Sequence, residues 1–283
     1  MQVLRSIREL REVLSSAHRQ SVSIGFVPTM GALHLGHARL IETSVRETAS
    51  TVVSIFVNPS QFNDPADFAK YPRTLEADAA LCESLGASIV FAPSVEEIYP
   101  EPQQTFVDVA GLAEHLEGKF RPGHFRGVAT VVMKLFQIVQ PDRAYFGEKD
   151  AQQLAVIRRM VADLNAPVEI VGVATVREPD GLAMSSRNQR LTPAERALAP
   201  LLYQALQLAA SRITEGVRDP ESIKKEALAL LAHPGIRVEY LEIVDPDSMQ
   251  PVERIEGSVR IAIAAQLGLT RLIDNVLATA PRR

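Results

Sequence analysis

Hydrophobic positions in the first two thirds of the chain alternate between two periods. Leu4, Ile7, Leu10 and Leu14 recur at helical spacing, and "VSIGFV" (22–27) follows as an unbroken apolar run. This predicts a helix and then a strand buried on both faces. "HARLIETSVRETA" (37–49) returns to helical spacing, and the β-branched run "TVVSIFV" (51–57) stops at Asn58-Pro59. The result is a strand, helix, strand unit. "TLEADAALCESLGA" carries Leu75, Ala79, Cys82 and Leu85 and stops at Gly86, a C-cap before a third strand in "SIVFAP" (88–93). Further on, "GVATVVMKLFQIV" (127–139) predicts a helix, "RAYFG" (143–147) a short strand, "DAQQLAVIRRMVADL" (150–164) a helix and "VEIVGVATV" (168–176) a strand. Strands alternating with helices of this length predict an α/β fold, a Rossmann-like doubly wound parallel sheet.

Past Val176 the pattern changes. Thr192-Pro193 with Glu195 opens one long helix expected over 193–214, and a second, "ESIKKEALALLA", ends near His233-Pro234-Gly235. "RVEYLEIVD" (237–245) and "SVRIAIAAQLG" (258–268) then predict strands joined through "PDSMQPV". Helices and strands segregated in this way predict a smaller C-terminal α+β domain. The expected division is 1–175 for the Rossmann-like domain and 176–283 for the smaller one.

Composition narrows the function classes. A chain of 283 residues with 46% hydrophobic and 23% charged residues has the make-up of a globular protein of one large or two ordinary domains. A net charge of −4 supplies no electrostatic reason for a nucleic acid or an anionic membrane as partner, so any phosphate-binding residues must be local. Cys82 is the one cysteine, which excludes an intramolecular disulfide and a cysteine-rich zinc site and fits a reducing cytoplasm. No apolar run reaches the roughly 18 residues of a membrane span, and the charged N-terminus is not built like a secretory signal. A cytoplasmic location with no membrane partner is expected.

Parallel sheets bind ligands at the carboxyl ends of their strands, which directs attention to the loops. Four stand out: "PTMGALHLGH" (28–37), "NPSQFND" (58–64), "FGEKDAQQ" (146–153) and "MSSRNQRL" (184–191). In the first, Gly31 and Gly36 permit close backbone approach, and a helix starting around Gly36 offers N–H groups and a positive dipole end to an anion. His34 and His37 lie one turn apart, so both rings can project toward a phosphate there and stabilise charge that develops in a transition state. A zinc pair is disfavoured, because zinc takes three or four protein ligands and no further His/Cys cluster has ligand spacing. Two solvated loop histidines are the bland alternative, and the position directly after the first strand favours function.

"HLGH" resembles the His-x-Gly-His signature of the nucleotidyltransferase superfamily, and "MSSR" resembles its KMSKS-type second signature. The larger set "PTMGALHLGH", "SIFVNPSQF", "YPRT", "GKFRPGHFRGV", "YFGEKDAQQL" and "MSSRN", in this order, closely resembles the pantoate–β-alanine ligase family. Ala183 stands where a KMSKS-type loop has its first lysine, which argues against the aminoacyl-tRNA synthetases of that superfamily. The resemblance implies an ATP-dependent ligation of pantoate and β-alanine to pantothenate. A pantoyl adenylate forms first with release of pyrophosphate, and the amine then displaces AMP.

The resemblance also implies roles. His34 and His37 contact the ATP phosphates, with His37 as acid. Lys149 follows the phosphates on a flexible stem, and Ser185, Ser186 and Arg187 close over the triphosphate. ATP contacts extend over Met30, Gly31, Ala32, Leu33, Leu35 and Gly36, over Gly147, Glu148 and Asp150, and to Val176 and Met184 near adenine. Gln61 and Gln153, amides that both donate and accept, hold pantoate, and Gln61 lies near the β-alanine entry. Mg²⁺ is expected because it bridges ATP phosphates with few protein ligands, and the resemblance implies a homodimer. Bland readings stand beside these: Lys149 as a surface lysine, "MSSRN" as a polar cap, and both glutamines as ordinary polar positions. "EGKFRPGHFRG" (117–127) reads either as a mobile cover that excludes water or as a solvated basic turn. Two alternatives remain as functions: another adenylyl or cytidylyl transferase with the same signature, and a nucleotide-binding protein without activity. A dinucleotide-dependent oxidoreductase is set aside, since the first strand-to-helix turn lacks G-x-G-x-x-G.

Overall fold

The computed structural model describes residues 1–100 and 103–281, and it opens on a short strand rather than on the expected helix. β1 (Gln2–Leu4) takes Leu4 out of the helical stripe and pairs in parallel with β4 (Ile89–Phe91). Ser6 then caps α1 (Ile7–Arg19) through a reciprocal pair of bonds with Glu9, and Leu10 and Leu14 form its buried face. β2 (Ile24–Thr29), α2 (Leu35–Glu47) and β3 (Ser50–Ile55) make the expected strand, helix, strand unit, in register from Ile24↔Ser50 to Thr29↔Ile55. The short α3 (Pro65–Lys70) and then α4 (Leu75–Ser84) lead to β4.

Two short helices, α5 (Val95–Ile98) and α6 (Glu117–Phe120), precede α7 (His124–Val139), which is buried along most of its length. β5 (Arg143–Gly147), α8 (Ala151–Asp163) and β6 (Glu169–Val173) complete the layer. Its strands run in the order β1-β4-β3-β2-β5-β6, every pair parallel, so the sheet is the Rossmann-like, doubly wound one that the alternation predicts. The order reverses between β2 and β5. In such sheets the crevice at the carboxyl ends of the two strands flanking the reversal is the place for a ligand. The loops carrying the two histidines and "GEKD" leave those two strands.

The C-terminal part has the expected α+β character with two differences. A capping box of Thr192 and Glu195 starts α9 (Pro193–Leu198), but the helix breaks there and α10 (Pro200–Thr214) restarts it. Pro200 has no N–H to continue the first helix and sits at the first position of the second, where none is needed. α11 (Pro220–Leu230) follows, and then an antiparallel sheet with the order β7-β8-β9. β7 (Ile236–Val244) and β8 (Ser258–Leu267) match the prediction, while β9 (Thr270–Thr279) is an addition to it. Leu202, Leu206, Ala209 and Ile213 of α10 belong to one core with Ile243, Ile261 and Ile263 of the sheet.

The chain divides into two compact units, Met1–Glu148 with Val156–Ala174, and Lys149–Ala155 with the chain from Thr175 onward. In the first, Val27, Ile41, Val53, Cys82, Val90 and Tyr145 form a core on one side of the parallel sheet.

Candidate active site

The turn after β2 is held from below by a buried carboxylate. Gly31 (φ +80°) and Ala32 (φ +50°) both adopt the left-handed region, which points successive N–H groups the same way. Asp78 of α4, 3% exposed, accepts from the Ala32 N–H at 3.0 Å, the Leu33 N–H at 2.8 Å and the Thr74 hydroxyl at 3.0 Å. A side chain at position 31 would place its Cβ 3.0 Å from the Asp78 carboxylate and 3.1 Å from Ile55 Cγ2, which with the left-handed φ makes any other residue there strained. Thr29 closes the other end, donating to the Ser54 carbonyl at 2.7 Å and accepting from the Gly31 N–H at 3.2 Å. Beside the turn lies a ligand-sized cavity of about 580 Å³, lined among others by Met30, Gly31, Phe56, Thr74 and Asp78.

His34 and His37 are built into the start of α2 in a specific way. His34 is the N-cap, its Nδ1 accepting from the Gly36 N–H at 3.0 Å, and His37 Nδ1 accepts from the His34 N–H at 3.3 Å. The two rings form the capping box that serine and glutamate usually supply. Because both Nδ1 atoms accept from the backbone, the proton of each neutral ring resides on Nε2. Each ring therefore has an Nε2–H donor, and the ring centroids are 4.2 Å apart. One sequence expectation is corrected here: the Gly36 N–H is not available to an anion, because His34 takes it.

Gln61 sits in a buried polar network. Asn58, 1% exposed, donates from Nδ2 to Gln61 Oε1 at 2.9 Å, and its own Oδ1 accepts from Tyr99 at 2.8 Å and Ser60 Oγ at 2.8 Å. Gln61 Oε1 is thus engaged, and its Nε2 donors turn toward Met30, 3.2 Å from the sulfur. The Gln61 carbonyl accepts from His124 Nδ1 at 2.9 Å and from Arg121 at 3.4 Å. A Cβ at Gly127 would lie 2.4 Å from the Ser60 carbonyl oxygen, so α7 meets the 58–61 turn backbone against backbone. The segment 117–127 is accordingly anchored at both ends: Glu117 and His124 are buried, and the Pro122 carbonyl accepts from Asn63 at 2.7 Å.

In the second unit, Val176 and Met184 face each other in a hairpin, the Met184 N–H donating to the Val176 carbonyl at 2.9 Å. The next residue, Ser185, caps a 3-10 turn over Ser186–Arg190 by accepting from the Arg187 N–H at 3.2 Å. Its hydroxyl is thus a cap, as one of the two sequence readings has it, and keeps its proton to donate. Ser186 and Arg187 are half-buried in that turn. Lys149, half-buried, occupies the 3-10 turn Glu148–Asp150 after β5, and Gln153 lies in the first turn of α8. Lys149, Ser185, Arg187 and Asn188 line one small cavity of about 10 Å³, the size of a single water. Asn188 Oδ1 is buried without a partner among the described residues, and its Nδ2 donates to Glu178 at 2.7 Å and to the Ala183 carbonyl at 3.0 Å.

A phosphate-suited helix start, an oriented glutamine and a polar hairpin call for comparison with known proteins. The family model for pantoate-beta-alanine ligase matches residues 2–277. The chain belongs to the pantoate-beta-alanine ligase family. It is an enzyme, a ligase of class EC 6.3.2.1. A pantothenate synthetase from Moorella thermoacetica is 50% identical over 278 residues, 98% of this chain and 98% of that one. The crystal structure of a pantothenate synthetase from Thermus thermophilus matches with a TM-score of 0.92 at 48% identity, over 98% of this chain and 99% of that one. A pantoate-beta-alanine ligase from Francisella tularensis, solved with beta-gamma ATP and beta-alanine, matches with a TM-score of 0.81 at 37% identity, over 98% and 97% of the two chains.

Two residues that fix the geometry of the candidate site, Asp78 and Asn58, have no role that the sequence alone assigns. Asp78 had one readable sign, since it shares the helical stripe of Leu75, Cys82 and Leu85, and a carboxylate on an apolar face requires a partner. Asn58, which sets the Gln61 amide, lies inside the "NPSQFND" loop, but its own part there is not read from the sequence. Among the described residues no three His, Cys, Asp or Glu side chains gather as a metal cage, and no helix is long and apolar enough to cross a membrane.

Proposed function

We propose that this protein joins pantoate to β-alanine at the expense of ATP, by way of a pantoyl adenylate. In the first step a pantoate carboxylate oxygen attacks the α-phosphorus of ATP, and the bond to the leaving pyrophosphate breaks. In the second the β-alanine amine attacks the acyl carbon, the bond to the AMP oxygen breaks, the nitrogen loses its extra proton, and pantothenate and AMP result. The enzyme's work is positioning and charge neutralisation.

The observation that carries this reading is the paired capping at the start of α2, which locks His34 and His37 as Nε2–H donors beside the strand-order reversal. Those two Nε2–H donors suit the phosphoryl oxygens on which charge accumulates; with its Nδ1 accepting from the backbone, His37 stabilises the departing pyrophosphate by hydrogen bonding rather than by giving up its proton. Main-chain groups from Met30 to Leu33, fixed by Asp78, and from Leu35 to Gly36 line the same nucleotide. Lys149, Ser185, Ser186 and Arg187 supply cations and hydroxyls for the triphosphate, with Gly147, Glu148 and Asp150 along its path and Val176 and Met184 at the adenine. Gln61 presents Nε2–H to pantoate, because Asn58 has engaged its oxygen, and Gln153 is the second pantoate ligand. Gln61 also borders the β-alanine position. The Francisella tularensis ligase, solved with beta-gamma ATP and beta-alanine, supports ATP and β-alanine as substrates, and family membership supports pantoate. Residues 1–175 carry the pantoate ligands and most of the nucleotide contacts, and residues 176–283 supply further groups to the ATP. Mg²⁺ would come with the nucleotide and neutralise charge on its phosphates, an ion that takes few protein ligands in such sites. The working form is a cytoplasmic homodimer.

Two assays test the reading together. AMP formation is expected to require both pantoate and β-alanine, and ATP–pyrophosphate exchange to require pantoate alone. AMP formation that ignores β-alanine removes the ligation, and ligation without pantoate-dependent exchange removes the adenylate.

A further inference from the structure

Asp274 and Asn275 are consecutive buried polar residues in the middle of β9, an edge strand of the antiparallel sheet. Each is engaged in a way the reaction does not explain. Asp274 takes a two-pronged bond from Arg177, Nη1 at 2.6 Å and Nη2 at 3.0 Å. The same guanidinium donates to the Gly181 carbonyl at 3.0 Å and the Asn275 carbonyl at 3.3 Å, and lies 3.8 Å over the Tyr203 ring. Arg177 is itself a rung of the hairpin, pairing with Ala183, with Met184 bonded to Val176 on one side and Glu178 to Leu182 on the other. Fixing Arg177 therefore fixes the ladder whose next residues are Ser185, Ser186 and Arg187. Asn275 donates from Nδ2 to the Lys149 carbonyl at 2.9 Å, and its Oδ1 accepts from Arg260, which orients the amide.

We infer that the Asp274-Asn275 pair of β9 is a positioning device for both phosphate-directed elements of the second unit. Asn275 places the main chain at Lys149, and Asp274, through Arg177, places the hairpin that leads into Ser185–Arg187. The inference rests on the proposed assignment of those residues to ATP. A buried ion pair is an expensive way to hold a strand, since an apolar pair of the same volume serves stability as well or better. What the forked pair supplies is a fixed direction. Two adjacent residues on one strand thereby set the spacing of a lysine turn and a serine–arginine turn that are far apart in sequence. Asp274 also lines the small cavity where Lys149, Ser185 and Arg187 meet.

Asn275→Asp isolates the lysine arm, because it keeps the size and the acceptor for Arg260 but has no N–H for the Lys149 carbonyl. Pantoate-dependent ATP–pyrophosphate exchange is expected to lose at least about tenfold in kcat/KM for ATP, since a misplacement of about 1 Å costs up to 100-fold. KM for β-alanine stays within about twofold, because the amine attacks the acyl carbon in the second step and not the phosphates to which Lys149 is assigned, and the melting temperature stays close to that of the unaltered protein. Wild-type exchange kinetics in a folded Asn275→Asp protein overturn the inference. Lys149→Ala separates the two levels: if it exchanges normally, the assignment of Lys149 to ATP fails, and if it alone is defective, only the positioning role fails. Should Asn275→Asp show no cooperative melt, Arg177→Lys carries the test. It keeps the charge and loses the fork, the same loss in exchange is expected, and unchanged exchange again overturns the inference.

Discussion

On the proposed reading His34 does two jobs with one ring, and a single substitution can separate them. Its Nδ1 caps α2 by accepting from the Gly36 N–H, and the proposed chemistry uses the Nε2–H side of the ring. Asparagine is among the best N-cap residues, and its oxygen can take over the cap. His34→Asn is therefore expected to hold stability in urea to within about 0.5 kcal/mol while exchange activity falls at least about 100-fold. His34→Ala loses both, with about 1 kcal/mol of stability gone as well. Near-normal activity in the asparagine variant would mean that the ring is a cap and nothing more. At this scale the residue types and their spacing were legible in the sequence, and the ring tautomers were not. Which nitrogen carries the proton depends on which backbone N–H each ring meets.

Among the elements, α7 and the 58–61 turn show how packing sets Gln61, the proposed pantoate ligand. Gly127 is glycine because the Ser60 carbonyl oxygen stands where a Cβ would come to 2.4 Å, and neither backbone can yield without moving Gln61. Gly127→Ala is expected to destabilise the protein by about 2–3 kcal/mol, as overpacking does. It should also raise KM for pantoate while leaving KM for ATP nearly unchanged, a split that steady-state kinetics reads directly. The elements themselves were mostly visible in advance, because hydrophobic period is a local property. The exceptions have physical causes. β1 has three residues, too few to show a period, and it exists only because β4 offers an edge. β9 contains Asp274-Asn275, two poor strand formers whose cost is met by Arg177, Lys149 and Arg260. The break at Ala199-Pro200 hides inside an apolar stripe that continues at helical spacing on both sides of it.

For the molecule as a whole, Cys82 serves as an internal reporter. It is fully buried in the core of the first unit, and burial, with the Asp78 carboxylate nearby, pushes its thiol up from 9.0 to about 12. Only the thiolate reacts, so a disulfide reagent at mildly alkaline pH is expected to leave the native protein unmodified. One equivalent should react once the first unit unfolds in denaturant. Modification of the native state at the rate of a free thiol would show that this core opens readily. The sequence by itself determined the doubly wound layer, the α+β tail and the chain order of the signature loops, because period and order need no knowledge of distant residues. The tertiary structure alone decided that Asp78 clamps Leu33, 45 positions away, and that Asn275 holds Lys149, 126 positions away. A hydrogen bond of that kind is a fact of proximity, and only the folded chain brings its two ends together.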